Sequence, residues 1–126
     1  MRTDIPGVRV ALVGKPEIVV FSIVDRIPAE QLSRAEEIFR GLIQQGHRRF
    51  VLDLSAADII SSNGVGLAVY YHKVLRELDG QMVVVKGKPA LMERIGAFIE
   101  PVIRTVGTRE EAIALLGGAG PKAVTA

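Results

Sequence analysis

The chain has 126 residues, 48% of them hydrophobic, with 16 Lys and Arg against 14 Asp and Glu and no cysteine. That length fits one domain able to bury its own core. The absence of cysteine excludes a disulfide framework, a thiolate metal site and a cysteine nucleophile, and it fits a reducing compartment. The pI is near 9.2, but the charges are dispersed and no basic run points to nucleic acid. No apolar stretch approaches the ~20 residues of a membrane span, and no signal-peptide apolar region opens the chain. The expectation is a soluble cytoplasmic protein without a cofactor.

Residues 1–7 read as a short N-terminal arm closed by Pro6-Gly7. Val8 to Val13 alternates early, with Val8, Val10 and Leu12 against Arg9 and Ala11, and Gly14-Lys15-Pro16 turns the chain into a β-branched run, Glu17 to Val24. The pair predicts an opening hairpin. Pro28 starts a helix whose Leu32, Ala35, Ile38, Phe39, Leu42 and Ile43 form one apolar stripe, and Gly46 stops it. Phe50 to Leu54 is the mostly apolar run of a strand covered on both faces.

A second helix follows over Gly64 to Leu78, with Leu67, Tyr71, Val74, Leu75 and Leu78 as its core stripe and His72, Lys73, Arg76 and Glu77 facing water. Its first two turns are apolar further around, through Val65, Ala68 and Val69. Either neighbours bury this surface or it stays exposed as a docking patch. Gln81 to Lys86 is another buried strand, Ala90 to Ile95 a short helix, and Pro101 to Thr105 a last strand at an edge. Thr108 caps a final helix ended by Gly117, and 117–126 reads as a small-residue tail. The order β-β-α-β-α-β-α-β-α predicts a single α/β domain over 8–116, with a mixed, mostly parallel sheet packed against helices.

Catalytic patterns are absent. His47 and His72 have no second ligand at metal spacing, Gly64-Val65-Gly66 is a fragment of a dinucleotide fingerprint, and no lysine completes a phosphate-binding loop. Ser62 lacks the glycine of a nucleophile elbow, since Ile60 stands two residues before it. What remains is the turn Ser61-Ser62-Asn63-Gly64 between strand and helix. Hydroxyls there either cap the helix or present a serine to a kinase. A phosphate so placed meets free N–H groups and the positive end of the helix dipole.

Leu52-Asp53-Leu54-Ser55, followed by Ser61-Ser62-Asn63-Gly64-Val65-Gly66, resembles the strand–turn–helix of the STAS domain family, and within it the bacterial anti-sigma factor antagonists. Val24 to Leu32 and Thr108 to Ala112 support the resemblance, which spans about 8–116 in element order. It implies a non-enzymatic regulator that docks onto an anti-sigma factor with serine kinase activity. Phosphorylation of the loop serine blocks docking, and a phosphatase restores it. By position Ser62 is the implied phosphorylation site. Asp25, Asp53, Ser61, Asn63, Gly64, Val65, Gly66 and Val69 are the implied surroundings or partner surface. Ser61 stands where the family usually has Asp, and Asn63 where it has Ser or Thr. The family implies no metal, no direct nucleic-acid contact and no membrane insertion, with the protein a monomer or weak dimer. The family also includes members that are never phosphorylated, and the alternative it implies is a scaffold or accessory subunit of a larger regulatory assembly or lipid transporter.

Overall fold

Strand side chains alternate between the two faces of a sheet, and here both faces are apolar along the three central strands. A computed structural model describes residues 5–117. The strands are β1 (Val8–Val13), β2 (Ile18–Ile23), β3 (Arg49–Asp53), β4 (Gln81–Val85) and β5 (Arg104–Val106). They lie in the order β1-β2-β3-β4-β5, with β1 antiparallel to β2 and every other pairing parallel. The helices are α1 (Leu32–Gln44), α2 (Ser62–Glu77), α3 (Pro89–Ile99) and α4 (Arg109–Leu115).

Val19, Phe21, Phe50, Leu52, Met82 and Val84 point to one face, where α1, α2 and α3 cover them. Ile18, Val20, Val51, Val83 and Val85 point to the other and meet Ala112 and Leu116 at the α4 end of the chain. The connections explain this division. Each right-handed crossover adds the next strand on the same side of the last, so three successive helices share a face. Among the described residues, only α4, the helix after the edge strand β5, reaches the opposite one. The expected fold class and element order are those observed.

Several local expectations change. A single 3-10 turn, Ala29–Gln31, precedes α1. Gly46 closes α1 with φ 103, a conformation that disfavours side chains. Leu12 is exposed, on the edge strand β1. Leu78 is exposed too, at the C-cap of α2 rather than in its core stripe. His72, expected in water, is buried beside Tyr71 and Leu75.

α3 runs from Pro89 to Ile99 rather than stopping at Ile95, with Leu91, Ile95 and Ile99 buried at i, i+4 and i+8. The strand expected over Pro101 to Thr105 shrinks to Arg104–Val106. The N–H groups of Val102 and Ile103 both donate to Ile99 O, so this stretch completes the end of the helix instead of pairing with β4. Residues 1–4 of the expected arm and 118–126 of the expected tail lie outside the described residues.

The centre of the larger core layer is aromatic. Phe39 of α1 stacks on Phe50 at 4.4 Å between ring centroids, meets Phe21 edge-on at 5.3 Å, and lies 5.1 Å from Tyr71. It thereby joins α1, α2, β2 and β3. Phe39→Ala is expected to cost about 3–5 kcal/mol. In a urea titration this appears as a lower midpoint with an unchanged slope.

Candidate functional site

The loop between β3 and α2 is held by its backbone. Leu54 N–H donates to Val85 O, and Ala57 N–H turns back to Leu54 O. Asp25, just past β2, adopts a left-handed φ of 59 and bridges to Ala57. Its N–H donates to Ala56 O at 2.9 Å, while its carbonyl accepts from Asp58 N at 2.7 Å and Ile59 N at 3.2 Å. On the other side Asp58 pairs with Lys88, the residue that opens α3. This pair, with a smaller contribution from the charge of Asp25, raises the Lys88 ammonium above its ordinary range. The loop is thus tied to β2 and to α3 before it reaches the serines. The observed role of Asp25 is this backbone clamp.

Ser61 is the N-cap of α2. Its backbone is extended (φ −70, ψ 160), its hydroxyl accepts from Gly64 N at 3.0 Å, and its carbonyl accepts from Val65 N. The helix therefore starts at Ser62, two residues earlier than the expected Gly64, with Ser61 as its cap. Extended φ/ψ and a hydroxyl three residues before a free N–H are what a cap requires. Ser62 and Asn63 are exposed in the first turn. Among the described residues the Ser62 hydroxyl has no hydrogen-bond partner, and neither do the N–H groups of Ser62 and Asn63.

Ser62 stands at the rim of a cleft of about 600 Å³ between α2 and α3, lined by Ile60, Ser62, Val65, Gly66 and Val69 together with Arg94, Ile95 and Phe98. This decides between the two readings of the apolar start of α2. Val65 is buried, Ala68 and Val69 are half-buried against the core, and Gly66 is exposed, so the neighbours cover most of this surface and Val69 keeps an open edge toward the cleft. Phe98 of α3, 65% exposed, forms the opposite wall. Phe98 lies beyond the expected end of α3 at Ile95, and Arg94, although inside the expected helix, carries no local signal of the cleft it lines. The available signal was a phenylalanine off the Leu91–Ile95–Ile99 stripe.

Asp53 belongs elsewhere. The alternation that turns Leu52 toward the helices α1–α3 turns Asp53 to the α4 face, where it is 3% exposed. Arg109 of α4 donates to its Oδ2 from Nε at 3.0 Å and Nη2 at 2.6 Å, and Ser55 donates to its Oδ1 from N and Oγ. Burial alone would raise this carboxyl. The Ser55 hydrogen bonds and the Arg109 guanidinium outweigh that and hold it below the ordinary carboxylate range. Asp53 is therefore a tie between β3 and α4, not a neighbour of Ser62. Its partner Arg109 was not singled out from the sequence.

The STAS domain model matches residues 9–111. BtrV of Bordetella bronchiseptica, assigned by name as an anti-sigma factor antagonist, is 33% identical over 102 residues, 79% of this chain and 84% of that protein. A crystal structure from Thermotoga maritima with the same description superposes with TM-score 0.77 at 16% identity, covering 87% of this chain and 94% of that one. The anti-sigma factor antagonist SpoIIAA in its unphosphorylated form gives TM-score 0.72 at 20% identity, over 88% of this chain and 98% of that one. At such identities the structural matches show the fold.

The two serines separate by stability. Ser61→Ala removes a cap and is expected to cost about 1 kcal/mol, whereas Ser62→Ala should change stability by no more than a few tenths. Chemical denaturation at pH 7 reads both. Asp53 has a sign that can be checked. Its lowered folded pKa contributes stability above the unfolded value of about 4, and this is lost as pH falls through the folded value. Arg109→Gln should cost roughly 1–2 kcal/mol at pH 7. It should also fall less steeply than the unmodified protein in denaturation below about pH 4.

Proposed function

This chain belongs to the STAS domain family, and on that premise we propose that it is an anti-sigma factor antagonist switched by phosphorylation of Ser62. The observation that carries the reading is an exposed serine hydroxyl, free of any capping duty, at the rim of a half-apolar cleft. In this reading an anti-sigma factor with serine kinase activity docks on the cleft, burying Val69 and Phe98. It also transfers the γ-phosphoryl of ATP to Ser62 Oγ. The serine oxygen forms the new P–O bond, its proton passes to solvent, and ADP leaves. A phosphatase hydrolyses the ester and restores the docking surface.

The switch needs no change of fold. A phosphoserine adds roughly −1.5 to −2 charges. At the first turn of α2 it meets the N–H groups of Ser62 and Asn63 and the positive end of the helix dipole, so the helix tolerates it. Among the described residues, Arg94 is the cation that lines the cleft. Drawn toward the phosphate, it brings a second charged group over the apolar walls. A partner that desolvates Val69 and Phe98 must then desolvate a charged ester beside them, and docking weakens. With Ser61 in place of the family's usual Asp, the acceptor lacks an adjoining negative charge. The kinase must accept a neutral, hydrogen-bonded residue there.

Incubation with the cognate kinase and ATP, followed by mass-spectrometric mapping, is expected to place a single phosphate on Ser62 and none on Ser62→Ala. Isothermal titration with the unphosphorylated protein should show tight binding. Ser62→Asp and Phe98→Ala are each expected to weaken it tenfold or more. Equal affinity for Ser62→Asp would instead assign the cleft to constitutive docking with Ser62 as a plain helix residue.

A further inference from the structure

At the far end of α2 from Ser62 lies a second concavity, of about 330 Å³, lined by His72 and Arg76 of α2, Gly80, Gln81 and Met82 at the start of β4, and Val102 and Arg104 before and within β5. His72 and Arg76 share a helix face at i, i+4. Arg104 approaches from a separate element. No carboxylate lines the space, and neither arginine is in an ion pair among the described residues. His72 is 8% exposed, and its Nδ1 is buried with no hydrogen-bond partner among the described residues.

A buried polar atom without a partner is destabilising, and native cores contain few of them. Position 72 lies between Tyr71 and the wholly buried Leu75, where an aliphatic residue would pack without that cost. The surrounding charge increases the anomaly. Burial first, then the charges of Arg76 and Lys73, push the imidazole below its ordinary pKa. Cations thus gather around a group that they and its burial keep neutral, with no anion supplied by the protein in the cleft. Arg76 has a separate reason to be there, since it lies in the last turn of α2, where a positive charge offsets the helix dipole. Arg104 has no such reason.

We propose that this cleft binds a phosphate-class oxyanion, either inorganic phosphate or the head of a phosphomonoester, between the guanidinium groups of Arg76 and Arg104. Donors from two directions suit a tetrahedral anion with three or four accepting oxygens better than a planar carboxylate with two. The Gln81 amide supplies a further donor at the exposed rim, and Met82 and Val102 form an apolar wall that leaves room for the organic part of an ester. Binding adds a full negative charge opposite the two guanidinium groups, beyond the partial charge of the helix end, and relieves their unfavourable field on His72. Occupancy and protonation of His72 are therefore coupled: the anion raises the affinity of the imidazole for a proton, and the proton raises the affinity for the anion. The site is independent of the Ser62 switch and lies on a different set of side chains.

The imidazole signals of His72 and His47, followed by NMR over pH in increasing inorganic phosphate, test this in the intact chain. His47 lies outside the cleft and reports general screening, and sodium chloride at matched ionic strength provides the parallel series. The expected result is a saturable rise in the His72 pKa of roughly one unit, seen with phosphate but not with chloride and absent for His47. Arg104→Gln should abolish the rise while leaving the melting temperature unchanged, since Arg104 is exposed. Arg76→Gln should weaken phosphate binding in the same assay. A shift that does not saturate, that chloride reproduces, or that survives Arg104→Gln overturns the site.

Discussion

The position of the first turn of α2 depends on a short backbone clamp between Asp25 and the loop 56–59. Three hydrogen bonds from one residue, with φ at 59, hold the chain as it leaves β3. Without them an exposed loop of this length would sample many conformations, at about 1–2 kcal/mol of entropy per residue ordered. With them, Ser61 reaches α2 already extended, and its hydroxyl meets Gly64 N. The Asp58–Lys88 pair fastens the same loop to the start of α3. The wall carrying Phe98 and the turn carrying Ser62 are therefore held in one frame.

That frame divides labour between adjacent serines. One hydroxyl is consumed by the cap, and the next, one helical position on, is left with no structural duty. Neighbouring residues of the same type thus differ by about a kilocalorie per mole in what they do for the fold. The arrangement lets a charged modification be added without disturbing the helix beneath it. In the proposed switch, function and stability would separate at the scale of one residue, because the helix begins where it does.

Charge is organised by layer in the same way. Asp53 and Arg109 join β3 to α4 on one face of the sheet, while the cleft beside Ser62 opens between helices on the other. An acid at the end of the central strand looks in sequence like a companion of the serine turn that follows it. Alternation along the strand decides otherwise, since Phe50 and Leu52 occupy the helix-facing positions and leave Asp53 to the opposite side. The same rule was available beforehand. That α4 covers this face and brings Arg109 to it is a tertiary contact that no local pattern encodes.

The sequence by itself determined the number, kind and order of the main elements. Apolar periodicity and glycine or proline punctuation are local signals, and the β2, β3 and β4 runs are apolar enough to require cover on both sides. The serine turn was legible for the same reason, being a contiguous motif between a strand and a helix. Only the tertiary structure decided which serine caps, because that depends on the φ/ψ of residues held by Asp25, far away in the chain. It also decided that Phe98 and Arg94 share a cleft with Ser62, that Asp53 faces away, and that His72 is buried among arginines. Each of these is a meeting between side chains from separate elements. Helical periodicity shows which way a residue points along its own axis, whereas packing decides what it points at.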